Sequence, residues 1–223
     1  MRPRPVIAID GPSGAGKSTV ARGLARALGF RYIDTGAVYR AVAWLAGETG
    51  IDWNDGASLA ALLGEREFSF DADGTLRIDG RAVGDAIRSP RISLGASVVA
   101  AHPEVRAALL ALQRELGRDG AVVLEGRDIG TAVFPDAEIK FFLDASVGVR
   151  ARRRHAELTA RGEDISLEQV AREQEARDRA DRERPISPLI RAADSCAIDC
   201  DSITADEVVE AMKRVVDTRF PLT

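Results

Sequence analysis

The sequence predicts a three-layer α/β fold, with a parallel core sheet, helices on both of its faces, a small antiparallel insertion and a charged helical stretch late in the chain. Three observations carry this. Short β-rich apolar runs, such as PVIAI at 5–9, end in aspartate or glycine and read as buried strands. Segments with apolar residues three or four apart follow them, as helices follow strands in βα units. A glycine-rich loop, GPSGAGKS from Gly11 to Ser18, joins the first strand to the first helix.

The elements follow in order. From Lys17 to Leu28, Val20, Leu24 and Leu28 fall four apart on one helix face, and Gly29 stops that helix. RYID at 31–34 is a second strand, and GAVYRAVAWLA at 36–46 a second helix. Between about 52 and 90 the texture changes. Alternating apolar residues, with turns at DADG and IDG, predict small antiparallel strands inserted into the β–α alternation. Pro103 suits a first helical position, and Val105, Leu109, Leu112 and Leu116 give that helix its stripe. AVVLEG at 121–126 and EIKFFLDA at 138–145 are further buried strands. SCAID at 195–199 and ADEVVEAMKRVV at 205–216 are the last strand and helix.

Residues 150–184 stand apart, with ten arginines, nine acidic residues and few large apolar groups. A helix capped by Ser166 is expected there. It reads either as a solvated, ion-paired helix or as a mobile lid that brings arginines onto a polyanion.

The 223 residues suffice for one domain, 1–223, with a substantial core. A net charge of −4 argues against a dedicated nucleic-acid binder. No apolar run approaches the roughly 20 residues of a membrane span, and the N-terminal run is too short for a signal peptide, so a cytoplasmic protein is expected. Cys196 and Cys200 read as two small buried apolar residues. With His102 and His155 distant in sequence, no structural metal is expected. No apolar stripe is left over, which points to a monomer. Only Lys17, Lys140 and Lys213 are lysines, so arginine is the default cation and arginine clusters say little by themselves.

The loop says more. It fits G-x-x-x-x-G-K-[ST] between strand and helix. Gly14 and Gly16 let the backbone turn its N–H groups around phosphate oxygens. The helix N-terminus favours the same anion. Lys17 reaches the β/γ-phosphates, and the Ser18 hydroxyl can hold Mg²⁺. The loop therefore holds a nucleoside triphosphate. A guanine switch is disfavoured: the one asparagine, Asn54, lacks the Asn-Lys-x-Asp context, and DADG at 71–74 reads as a turn. A small kinase fits best. Arg40 lies in DTGAVYR, and Arg127 and Asp128 directly follow a strand, where open α/β sheets bind ligands. Arg177, Asp181 and Arg184 share one helix face. Another small-molecule P-loop kinase, for UMP or shikimate, and a slow nucleotide switch remain alternatives.

The blocks IDGPSGAGKST, DTGAVYR, EGRDIGTAVFPDA, KFFLDAS and RDRADRERPISPL resemble those of the bacterial cytidylate kinases, in the same order and over nearly the whole chain. The resemblance implies a P-loop kinase that transfers phosphate from ATP, with Mg²⁺, to CMP and dCMP. Its acceptor-nucleotide region would span about 36–101 and its lid about 150–188. It implies that Gly11, Pro12, Ser13, Gly14, Ala15, Gly16, Lys17, Ser18 and Thr19 cradle ATP. Thr35, Arg106, Asp128 and Arg184 would read cytosine. Ser97, Arg177 and Asp181 would meet the ribose, and Arg40 and Arg127 the acceptor phosphate. Lys17, Arg127, Asp128 and Arg177 form the expected catalytic set. Two positions depart from the family's usual residues: Thr35 stands where serine is common, and Glu125 where aspartate is. The chemistry is consistent with this reading. Cytosine offers an amino donor to Asp128 and Thr35, and O2 and N3 acceptors to Arg106 and Arg184. No general base is needed, because the attacking phosphate oxygen is already anionic.

Overall fold

The computed structural model describes residues 2–71 and 73–221. The chain runs β1 (Val6–Asp10), α1 (Lys17–Leu28), β2 (Arg31–Asp34), α2 (Thr35–Thr49) and α3 (Gly56–Gly64). The strands β3 (Phe68–Phe70), β4 (Leu76–Ile78) and β5 (Arg81–Ala82) come next, followed by α4 (Pro90–Val99) and α5 (Pro103–Gly117). After them come β6 (Val122–Glu125), β7 (Ile139–Asp144), α6 (Val147–Ala160), α7 (Leu167–Glu183), β8 (Cys196–Asp199) and α8 (Ala205–Arg219).

Five strands form one parallel sheet in the order β2-β6-β1-β7-β8. Its interior strands are apolar on both faces, as burial between helical layers requires. Ile7, Ile9, Val123, Ile139, Phe141 and Leu143 face α1 and α8, where Val20, Leu24, Val208, Met212 and Val216 complete the packing. Val6, Ala8, Ile33, Val122 and Leu124 face the other way, toward Ile129, Val133 and Phe134. The period of two thus splits each strand between two half-cores.

A third apolar cluster joins α2, α3, α4 and α5 to the small sheet, through Val38, Val42, Leu59, Leu62, Ile78, Val99, Val105 and Leu109. The expected antiparallel insertion is present as β3-β4-β5, with Phe68 opposite Ile78 and Arg77 opposite Ala82. It is smaller than the sequence suggested, because α3 occupies 56–64 of the same stretch. The Asp55 carboxylate accepts from Ser58 N at 3.0 Å and caps that helix, and Leu59, Leu62 and Leu63 are buried. A local cap and three leucines make a helix ahead of the alternating run, which begins at Phe68.

The charged stretch forms two helices, broken at 161–166. The Ser166 hydroxyl caps α7 by accepting from Gln169 N at 3.2 Å. Pro103 opens α5 as expected. Cys200 is buried, whereas Cys196 is only half-buried; its strand is the sheet edge, where side chains alternate toward solvent. No helix among the described residues is long and apolar enough to cross a membrane.

Gly11 closes β1 at φ 149°, and a Cβ there would lie 2.0 Å from the Leu143 carbonyl oxygen. That oxygen belongs to β7 and cannot retreat alone. Gly11→Ala should therefore cost about 3 kcal/mol, a fall of roughly 6–12 °C in Tm for a chain of this size. A melting curve within 2 °C of the parent's, on the order of half a kcal/mol, would contradict this packing account.

Candidate active site

The parallel strands end at one edge of the sheet, and a cavity of about 630 Å³ opens there. The loop 11–18 forms one wall. Gly14 (φ 77°) and Gly16 (φ 92°) hold left-handed conformations that a side chain would strain, and α1 begins at Lys17. Lys17 is buried, and its Nζ donates to Pro12 O at 2.7 Å. Burial, with Arg127 as the next cause, pushes its ammonium down to about 7; Glu125 and Asp178 oppose the shift.

Glu125 ends β6 beside Lys17. It accepts from the Tyr32 hydroxyl, and the Ser18 hydroxyl lies against it. Burial, and then the charge of Asp34, raise its pKa. Thr35 Oγ1 donates to Glu125 O at 2.7 Å. Its one hydrogen is thereby used, and the hydroxyl can meet a ligand only as an acceptor. Arg40 donates to Asp34 at 2.7 Å, and its buried Nε has no hydrogen-bond partner among the described residues.

Asp128 follows β6 on a tight turn, Ile129–Val133, with π-helical hydrogen bonding. Its carboxylate is buried between two guanidiniums: Arg106 from α5, and Arg184 from the end of α7 at 3.1 Å. Arg127 donates to Asp181 at 3.1 Å, and Arg177 donates to Ser97 at 3.0 Å. Burial and the neighbouring Arg127 lower Arg177 to about 10.

Almost all the residues expected from the sequence line this one cavity. Ser13 to Thr19, Thr35, Arg40, Ser97, Arg127, Asp128, Arg177, Asp181 and Arg184 do. Gly11 and Pro12 lie behind the loop surface, and Arg106 stands behind Asp128 rather than in the wall.

Sequence reasoning missed two parts of the site. The cavity extends past α1 to Arg153, Cys200, Ile203 and Thr204. Arg153 comes from α6 and the other three from the turn between β8 and α8, and no local pattern marks them. Asp10 was also missed. It accepts from Ile129 N and Gly130 N, both at 2.8 Å, and so fixes the turn that presents Asp128. Burial pushes its carboxyl up to about 6, against those two hydrogen bonds. The available signal was a carboxylate closing an otherwise apolar strand.

A parallel sheet flanked by helices, a strand–loop–helix phosphate cradle and a cluster of arginines facing it define a P-loop kinase. Comparison with known proteins narrows the class. Residues 7–218 match the cytidylate kinase family, and the chain belongs to that family. It is 50% identical over 217 residues to a cytidylate kinase of Syntrophotalea carbinolica, covering 96% of this chain and 92% of that one. It is 52% identical over 214 residues to one of Pelotomaculum thermopropionicum, covering 94% and 95%. A bifunctional pantoate ligase/cytidylate kinase of a Synechococcus strain is 51% identical over 218 residues. That match takes in 95% of this chain but 40% of the longer protein. An uncharacterized protein from Eubacterium ventriosum shares the fold, with a TM-score of 0.55 at 12% identity, over 96% of this chain and 99% of that one.

Proposed function

We propose that the chain transfers the γ-phosphoryl group of ATP to CMP or dCMP, giving ADP and CDP or dCDP. Beyond family membership, one observation carries the acceptor: the donor–acceptor pattern where Thr35 and Asp128 face the cavity. Thr35 presents lone pairs only, and the Asp128 carboxylate is acceptor-only when ionised. Both suit the cytosine amino group and oppose a uracil carbonyl. Arg184, paired with Asp128 in the cavity wall, supplies a donor for the O2 and N3 edge, while Arg106 holds Asp128 from behind. The orphan Arg40 Nε and the paired Arg127 suit an acceptor phosphate, and Ser97, Arg177 and Asp181 suit a ribose.

Ser18 and Glu125 put hard oxygen donors beside Lys17, which fits a magnesium ion entering with the triphosphate. When bound, such an ion would neutralise charge on the β- and γ-oxygens. The residues do the rest by alignment. Lys17, Arg127 and Arg177 surround the path between donor and acceptor, where negative charge must be compensated as the phosphoryl group moves. The test is ADP release with a panel of acceptors. Turnover that needs CMP or dCMP supports the reading. Preference for UMP or shikimate would replace the acceptor, and turnover without any acceptor would favour a nucleotide switch.

Proton linkage offers a further check. Without nucleotide, Lys17 titrates at about 7; a triphosphate beside it must raise that value. Binding should then take up a proton at pH 8, and affinity should be flat below pH 7 and fall above it, by up to about tenfold per unit. Calorimetry of an ATP analogue in buffers of different ionisation enthalpy reads this directly. Equal heats in all buffers at pH 8 would rule it out.

A further inference from the structure

The stretch of the chain richest in charge hides a buried polar face. On α7, Val170, Gln174, Asp178 and Asp181 are all buried, at a spacing that makes one stripe. Asp178 is 1% exposed and is ion-paired with Arg150 of α6, which is 3% exposed. The pair closes on one residue of the phosphate loop. Ser13 N donates to Asp178 Oδ1 at 2.9 Å, and Arg150 Nη1 donates to Ser13 O at 2.8 Å. Arg150 is itself fixed by Nε, which donates to Ala145 O at 2.9 Å. One turn earlier on α7, Gln174 packs so closely that a Cβ on Gly14 would lie 2.5 Å from its Nε2.

We propose that Arg150 and Asp178 are positioning residues of the donor site: together they grip both polar groups of the Ser13 backbone and hold the phosphate loop in its binding shape. The loop needs such a hold. Gly14 and Gly16 make it flexible, and a flexible cradle must be ordered at the expense of binding. The inference rests on reading loop 11–18 as the ATP site, and neither residue needs to touch the nucleotide.

The experiment measures binding without turnover. Removing one partner strands a buried charge, so both are replaced together, as Arg150→Met with Asp178→Leu, which keeps volume and removes the pair cleanly. In the folded double variant, a non-hydrolysable ATP analogue should bind about tenfold or more weakly, and CMP alone should change less than threefold. Asp178→Glu is the second variant: it keeps the charge but shifts the carboxylate off Ser13 N–H, and should weaken the analogue in the same direction. In the wild-type protein, the Ser13 amide should exchange with solvent far more slowly than a free loop amide. Unchanged analogue affinity in either folded variant, or equal weakening of analogue and CMP, overturns the proposal. Should neither variant fold, free-rate exchange at Ser13 overturns it and slow exchange supports it. A wild-type chain that binds no analogue would instead overturn the reading of the loop itself, and the inference with it, before any variant is compared.

Discussion

Lys17→Ala is expected to lower phosphoryl transfer by about 10²–10³ while leaving the nucleotide-free protein at least as stable as the parent. The two effects have separate causes in the same buried ammonium. Burial takes the ammonium out of water and lowers it to about 7, against an ordinary value of 10.5. A group whose folded pKa lies below its unfolded one destabilises the fold when protonated. That penalty is fully present below pH 7 and fades as pH rises from 7 toward 10.5. Alanine removes it, so the gain in Tm should be largest at low pH. Removing the Nζ also removes a donor aimed into the phosphate cradle, at the one buried cation in the loop. Single-turnover rates and melting curves at pH 6 and pH 9 check both halves. Near-parental turnover in a folded Lys17→Ala protein would sink the proposed mechanism.

Asp128→Asn should lower kcat/KM for CMP by about one to two decades, since hydrogen bonds to charged groups are worth roughly 1.5–3 kcal/mol. The structure adds a reason to the base-reading argument. Asp128 is the shared counter-charge of Arg106 and Arg184, so the amide would loosen Arg184, the proposed base donor, and Arg106 behind it, as well as lose one acceptor. UMP should lose less, or gain, because the amide can donate to a uracil carbonyl. The CMP/UMP ratio should therefore fall. Arg127→Gln is the control and should impair both acceptors alike, since both present the same phosphate. An equal fall for CMP and UMP in Asp128→Asn would leave Asp128 a structural role only.

Much of this was legible in the sequence, for reasons that differ by element. β1, α1 and β2 were read to within a residue because apolar period and glycine punctuation agree there, at Val20, Leu24, Leu28 and Gly29. α3 was not, because nine residues with a single aspartate cap give only a short helical signal just ahead of the alternating run. The loop from Gly11 to Ser18 announces its chemistry by spacing alone. The acceptor side does not: Arg106 and Asp128 are 22 residues apart and meet only because α5 returns beneath the turn after β6. The α7 stripe escaped because hydrophobic period cannot reveal a buried face built from glutamine and aspartate. Asp10 escaped for a similar reason, since its partners are backbone N–H groups more than a hundred residues away.

The three apolar clusters differ in how far apart their members lie along the chain, and this bears on the order in which the protein folds. Every residue of the cluster formed by α2, α3, α4, α5 and the small sheet falls between 37 and 112. The core sheet instead pairs Val6 with Val122 and Ile7 with Ile139. Local contacts close small loops and form early, whereas distant strand pairs wait on slow loop closure. This cluster is thus expected to condense first, and the sheet to zip up around it later. The phosphate loop, although encoded at the very start, gains its neighbours only when β6, β7 and α7 arrive. During synthesis the chain should therefore acquire no nucleotide affinity until α7 has left the ribosome. Nascent chains stalled with α7 still inside the exit tunnel, and others carrying a C-terminal extension that pushes it clear, would show the transition as a step.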